Sequence, residues 1–313
     1  MNLTKEMTEK QKKYRASNSK AFLYLFTHLL LGILGIWISV DVNWFFGQIA
    51  LSIFFLQSFI LLHEVGHFSF FKSKKLNTWF GHLFGFVSFI PFTSWVDIHN
   101  LHHKWTGWRD KDPTTSGTVN PRHGIITRSI VNTSWFFFIP LFTLGYRVGN
   151  YWNILKIRNF SSKTNTQLVV INILAILSLW VVLILLFPSF ILNYVLTSYF
   201  ISLMLSDVII LSQHSHIDIP VSNGDEVKPI KCKEQIKYTR SIVLGRWLEH
   251  WFLFNFNLHE KHHAFPNVPA YYLQHKECDV QNTRPFFKYL WNAKKMSGEQ
   301  FVFSTTKQSK KII

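Results

Sequence analysis

Three short runs of the chain carry histidines at spacings suited to metal binding: His63-Glu64-Val65-Gly66-His67, His99-Asn100-Leu101-His102-His103 and His259-Glu260-Lys261-His262-His263. Residues three and four apart share a helix face, so HxxxH presents two imidazoles on one side and HxxHH presents three. Neutral imidazole is a good ligand for iron, zinc, copper or nickel. With 15 histidines in 313 residues, a random HxxxH is expected roughly 0.7 times per chain and a random HxxHH roughly 0.03 times. The first run is weak alone; the two triplets together are the signal. His214 and His216 form a further pair in Gln213-His214-Ser215-His216. Eight to ten imidazoles are too many for one ion and suit two. His28, His82, His123, His250 and His275 have no ligand-spaced partner, and His28 reads as a core residue of the bundle. Glu64, Asp97, Asp207 and Glu260 lie in or beside the clusters and are candidates to hydrogen-bond the outer nitrogen of a ligand imidazole.

The elements that must carry these side chains are apolar helices. Residues 21–40, 44–62 and 168–187 contain no charged side chain, and 190–212 contain only Asp207. About 20 apolar residues cross the hydrocarbon core as a helix. The pattern predicts an all-α integral membrane protein, a single domain over 1–313, with four transmembrane helices in two hairpins turning at 41–43 and 188–189. An ionisable residue inside a span is a functional candidate by default, and Asp207 precedes His214 by two helical turns.

The 33 Lys and Arg residues exceed the 17 Asp and Glu by 16. Six lie in 1–20, twelve in 63–167, fifteen in 213–313 and none in the two turns. The positive-inside rule then places both termini and the middle stretch in the cytoplasm. The basic charge follows from topology and contact with anionic headgroups, and no nucleic-acid partner is needed. The stretches 76–96 and 131–146 are read as interfacial or re-entrant helices, because crossing would export Lys104, Arg109, Lys111, Arg122 and Arg128. They pack under a cytoplasmic helical cap that holds the His-rich di-metal site. All four histidine runs then reach one membrane face. Two cysteines exclude a disulfide scaffold or a cysteine-built metal site. The N-terminal apolar run is too long for a cleavable signal, and the Lys310-Lys311-Ile312-Ile313 end resembles a dilysine retrieval signal.

Two redox-capable metals beside a bilayer suggest oxygen chemistry on a lipid, with the hard step belonging to the metals. The three runs resemble the histidine boxes of the membrane-bound fatty acid desaturases. The likeness extends from about residue 20 to about residue 290. Trp95 stands before the second box and Asp110-Lys111-Asp112-Pro113-Thr114-Thr115 follows it; the third continues Ala264-Phe265-Pro266-Asn267-Val268-Pro269-Ala270-Tyr271-Tyr272-Leu273. The resemblance implies two non-haem iron ions, O2 as co-substrate, and insertion of a cis double bond into an acyl chain of a lipid or acyl-carrier substrate. The implied iron ligands are His63, His67, His99, His102, His103, His259, His262 and His263, with His214 or His216 as the ninth. The third box starts with His259, where front-end desaturases usually carry Gln. No fused cytochrome b5 motif is present, so a separate ferredoxin- or cytochrome b5-type donor with its reductase is expected, and a bacterial inner membrane is favoured over the endoplasmic reticulum.

Related di-iron hydroxylases and ketolases act on alkanes, carotenoids, sphingolipids or amino-acid derivatives, and boxes alone do not separate them. His63-Glu64-Val65-Gly66-His67 also fits the HExxH zinc protease pattern, with Glu64 as general base. That reading leaves both triplets unexplained. A metal transporter or a histidine-built zinc receptor would need polar residues lining the spans, which hold only His28 and Asp207 as ionisable groups.

Overall fold

The computed structural model describes residues 14–119 and 124–303. Arg122, His123 and the Lys310-Lys311 end lie outside the described residues. Helix α1 (Asn18–Trp37) continues as a π-helical turn, Ile38–Val42, and α2 (Trp44–Gly66) returns antiparallel to it. The turn expected over 41–43 shrinks to Asn43, whose Oδ1 accepts from Phe46 N at 3.2 Å. Such a side-chain cap satisfies one of the free N–H groups that open a helix.

The second hairpin is α7 (Lys163–Leu186) followed by Pro188–His214, which runs through a π-helical stretch into α8 (Thr197–His214). Ser162 Oγ caps α7 by accepting from Asn165 N. Pro188 opens the fourth segment, where its missing N–H costs nothing. Among the described residues, four helical stretches are each long and apolar enough to cross a membrane: Asn18–Val42, Trp44–Gly66, Lys163–Leu186 and Pro188–His214. Each runs a few residues past the expected 21–40, 44–62, 168–187 or 190–212 at one end or both. Polar residues at a span's ends still gain their backbone hydrogen bonds by staying helical. On α7, Leu168, Ile171, Leu174 and Leu185 are exposed, the lipid-facing surface expected of a span.

The two intermediate stretches are broken. In place of one segment over 76–96 there are α3 (Lys74–Val87) and α4 (Phe92–Trp105). Phe89 lies at φ 53° between them, Ile90 N donates to Gly85 O at 2.8 Å, and Pro91 precedes α4. A left-handed residue followed by proline ends one helix and starts another. In place of one segment over 131–146 there are α5 (Ile125–Phe136) and α6 (Leu141–Arg147), the latter extended to Trp152 by a π-helical turn, and the pair is bent by 115°. Phe138 at φ 58° and Pro140 make that elbow.

The core surrounds the C-terminal half of α2, where every residue from Phe55 to Gly66 is buried. A helix buried on all faces must be apolar all round, and this one is largely so until His63. Gly66 permits the crossing of α2 by α4: a Cβ there would stand 2.1 Å from Trp95 Cζ3. That close approach brings the end of the first histidine run against the second. Buried Arg147 donates to Ser88 O and to Tyr199 Oη, each at 2.8 Å, which ties the α3–α4 turn to the fourth span. The third histidine run forms a short helix, α9 (His259–Ala264). A parallel two-residue ladder, Ile242–Val243 on Arg284–Pro285, holds the segments around it.

Candidate metal centre

Nine imidazoles from four helices converge in two clusters. His63, His67, His99, His103 and His262 form the first, and His102, His214, His259 and His263 the second. Within each, one ring nitrogen per residue lies within 4.8 Å of all the others. In the first cluster Nε2 of His99 is 2.9 Å from that of His67 and 3.0 Å from that of His103, which is 3.0 Å from that of His262. In the second, His259 Nε2 is 2.8 Å from His214 Nε2 and 3.1 Å from His263 Nε2.

Each triplet divides its ligands. On α4, His99 and His103, one turn apart, face the first cluster, while His102 faces the second. On α9, His259 and His263 face the second cluster and His262 the first. Spacing alone predicts three imidazoles acting as one set. Where the imidazoles of α4 and α9 meet, each helix instead feeds both sites, and the His103 and His263 rings lie 4.4 Å apart.

The arrangement fits metal ions on four counts. Two nitrogens about 2.1 Å from one ion and at right angles to each other are about 3.0 Å apart, close to the spacings above. Lone pairs aimed at one another repel unless a cation or proton lies between them. Burial, with the neighbouring rings as a second cause, holds His67 down to about 3 and His99, His103, His259, His262 and His263 well below the usual imidazole range. These six are therefore neutral and free to ligate at physiological pH. His63 Nε2 is buried without a hydrogen-bond partner, as a ligand atom facing an ion would be.

These low values set the pH response of the metal-free protein. The unfolded chain takes up protons as pH falls through about 6.5, while the folded cluster resists them. The contribution to stability is thus intact above that pH and is lost below it. The melting temperature of metal-free protein should fall steadily between about pH 7 and pH 5; a flat profile would contradict neutral, buried clusters.

Outer hydrogen bonds orient the rings. His102 Nδ1 meets Asp112 Oδ2 at 2.7 Å, while Asp112 Oδ1 accepts from Thr114 N and Thr114 Oγ1, each at 2.8 Å. Burial raises the Asp112 carboxyl, but His102 and Thr114 more than offset this and hold it below the usual range. His263 Nδ1 meets Gln235 Oε1 at 3.0 Å, and Gln235 Nε2 donates to His103 O at 2.7 Å. The Tyr238 carbonyl lies 3.3 Å from His214 Nδ1. His63 Nδ1 is 3.1 Å from Glu64 Oε1, and Glu64 Oε2 accepts from Ala270 N at 2.9 Å. The Trp95 indole stacks on His99 with centroids 4.2 Å apart.

Of the four acidic candidates, only Glu64 touches an imidazole. Asp97 accepts from Ser161 Oγ at 2.7 Å and from Asn165 Nδ2, joining α4 to α7. Asp207 accepts from Thr143 N at the start of α6. Seven residues of helix put it about 10 Å along the axis from His214, too far for a carboxylate to reach the ring. Glu260 gathers the C-terminal segments, accepting from Ser241 N, Gln281 N, Asn282 N and Thr283 Oγ1 at 2.7–3.1 Å. His216 belongs to neither cluster: at φ 56° the chain has left α8, and its ring stacks on Phe301 at 5.2 Å. His28 is buried against Gln57 and stacked on Phe54. Asp112, Gln235 and the Tyr238 carbonyl are not among the candidates that spacing selects. The turn-forming Asp112-Pro113-Thr114 is a usable signal for the first; nothing in the sequence marks the other two.

A cavity of about 540 Å³ opens against His63, His99, His102, His214 and His259. Phe59, Phe142, Ile210, Leu211 and Phe256 line its apolar walls.

Comparison with known proteins agrees with this picture. The family model "Fatty acid desaturase" matches residues 42–292. A Nostoc "sn-1 acyl-lipid omega-3 desaturase (ferredoxin)" is 24% identical over 90% of this chain and 82% of its own. A Synechocystis protein of the same description is 36% identical over 30% of this chain, a stretch that spans 27% of that relative's length. A Bacillus subtilis "Fatty acid desaturase" is 28% identical over 35% of this chain and 33% of its own. A match covering most of the chain, together with histidine clusters that can hold metal and four helices apolar enough to span a membrane, makes the chain a member of the fatty acid desaturase family.

Proposed function

We propose that the protein desaturates a fatty acyl chain with O2 and two electrons, using two iron ions held by His63, His67, His99, His103 and His262 and by His102, His214, His259 and His263. The observation that carries this reading is the five-and-four division of nine imidazoles, with α4 and α9 each feeding both clusters. When bound, the metals supply the oxidising power to remove two hydrogens from adjacent methylenes, which side chains cannot do. The chain's own part is placement. Phe59, Phe142, Ile210 and Leu211 hold an extended chain and exclude water, with the imidazoles of both clusters at the same cavity wall. Asp112, Gln235 and the Tyr238 carbonyl fix which ring nitrogen faces inward.

Glu64 supports this reading over an HExxH protease. Its oxygens are taken by His63 Nδ1 and Ala270 N on the outer side of the ring, leaving no general base at the centre. The Lys and Arg distribution favours a site on the cytoplasmic face, within reach of a separate donor, and the Bacillus subtilis relative fits a bacterial membrane. The Nostoc relative carries "ferredoxin" in its description, which favours an iron–sulfur donor over a cytochrome b5-type one.

Purified protein should contain about two iron ions per chain. Given ferredoxin, its reductase and O2, it should convert saturated to unsaturated acyl chains, with activity lost on chelation. Zinc at about one per chain, with no O2-dependent change in acyl chains after iron reconstitution, would overturn the proposal.

A further inference from the structure

The catalytic cavity is not apolar throughout. Arg109 and Lys156 line it together with Thr114, Thr115, Thr118 and Asn150. Both cations are fastened to one loop. Arg109 Nε donates to Thr118 Oγ1 at 2.9 Å, and its carbonyl accepts from Thr115 Oγ1 at 2.9 Å. Lys156 Nζ donates to Pro113 O and to Asn150 Oδ1, each at 2.7 Å. Neither cation has a carboxylate within ion-pair distance among the described residues. The acid closest in sequence to this loop's anchor points, Asp112, already uses both oxygens on His102 and Thr114. Asp207, the one acidic residue among those lining the cavity, is held by Thr143.

Two partly buried cations face one cavity without an ion-pair partner among the described residues, and only Lys156 feels a nearby carboxylate, Asp112; an anion entering the cavity would offset the hydration they have lost. Both lose part of their hydration, and burial pulls each below its usual range. Lys156 also lines a neighbouring surface cleft with Asn153, Arg158 and Asn159, so it stands where the cavity meets the outside. An amphiphile entering there would have its charged end beside Lys156 and Arg109 and its chain along Ile210, Leu211 and Phe142.

We propose that Arg109 and Lys156 form an oxyanion subsite, with the loop hydroxyls and carbonyls holding the two cations in place, that binds the phosphate of the acyl carrier and sets the chain's depth relative to the histidine clusters. The idea rests on the acyl-chain reading above and adds the head-group chemistry. The phosphate is either the phosphodiester of a membrane phospholipid or that of a soluble thioester carrier, and the binding experiment separates the two.

Affinity is measured on the metal-loaded protein in neutral detergent without O2 or electron donor, so the result stands apart from catalysis. Three probes of equal chain length are compared: a phosphatidylglycerol, an acyl-coenzyme A and an uncharged diacylglycerol. At least one phosphate-bearing probe should bind about tenfold or more tightly than the diacylglycerol, and the preference should shrink with salt. Whichever phosphate probe binds more tightly identifies the source. Arg109→Gln and Lys156→Gln should each lower phosphate-probe affinity about tenfold while leaving diacylglycerol binding unchanged, and Lys156→Arg should restore most of the loss. Equal affinity of wild-type protein for all three probes would overturn the subsite, as would variants that weaken all probes alike. A clear phosphate preference in a protein without desaturase activity would instead remove the proposed reaction and leave the subsite standing.

Discussion

With two iron ions bound as proposed, His214→Ala should lower the metal content from about two ions per chain to about one and cut desaturation by more than about 100-fold, whereas His216→Ala should leave the metal content unchanged. The two residues are two positions apart, and spacing could not choose between them. The structure puts His214 Nε2 2.8 Å from His259 Nε2 and seats the His216 ring on Phe301. The second cluster has only four imidazoles, so losing one leaves three to hold an ion. The first cluster has five and draws none from α8, so its ion should stay. Metal analysis of purified variants reads the difference directly. Equal metal loss in both variants would mean that the end of α8 is held differently. Arg240 makes that outcome unexpected: its guanidinium donates to the carbonyls of Ser212, Ser215 and His216 at 2.6–3.2 Å and locks the end of the helix.

Much of this site is legible in the chain because helix periodicity translates spacing into faces. Four apolar runs announce the spans, and HxxxH and HxxHH announce the ligands. What spacing cannot supply is the angle at which helices cross. His262 joins His63 rather than its neighbours His259 and His263 because α9 meets α4 through its imidazoles, His103 lying against both His262 and His263. That depends on packing between residues about 160 positions apart. The breaks in the segments between the spans are hidden for a related reason. Phe89 and Phe138 take left-handed backbone, a conformation for which an aromatic residue gives no local signal. Pro91 and Pro140 are the readable part of those breaks. Acidic residues mislead most. Nearness to a histidine in sequence favours Asp97, Asp207 and Glu260, yet the carboxylate that reaches His102 lies ten residues beyond it, after the chain has turned.

Asp112 therefore carries the second large prediction. Asp112→Asn changes neither size nor shape, yet it should lower metal affinity at the second cluster or activity by about 10- to 100-fold. Both carboxylate oxygens act as acceptors, one for His102 Nδ1–H and the other for Thr114 N–H and Thr114 Oγ1–H. An amide offers one acceptor and one donor. If its oxygen turns to Thr114, its NH2 faces the Nδ1 proton of His102, and relief requires that proton to move to Nε2, the atom that faces the cluster. If its oxygen turns to His102, the Thr114 donors meet an NH2, and a buried unsatisfied donor costs about 1–3 kcal/mol. Either choice disturbs the second cluster and spares the first, whose imidazoles make no hydrogen bond to Asp112. Metal analysis should show selective loss from one site, and Asp112→Glu, which keeps two acceptors, should lose less than Asp112→Asn. If the Asp112→Asn variant bound both ions with wild-type affinity and kept its activity, Asp112 would be a loop anchor that does not position His102.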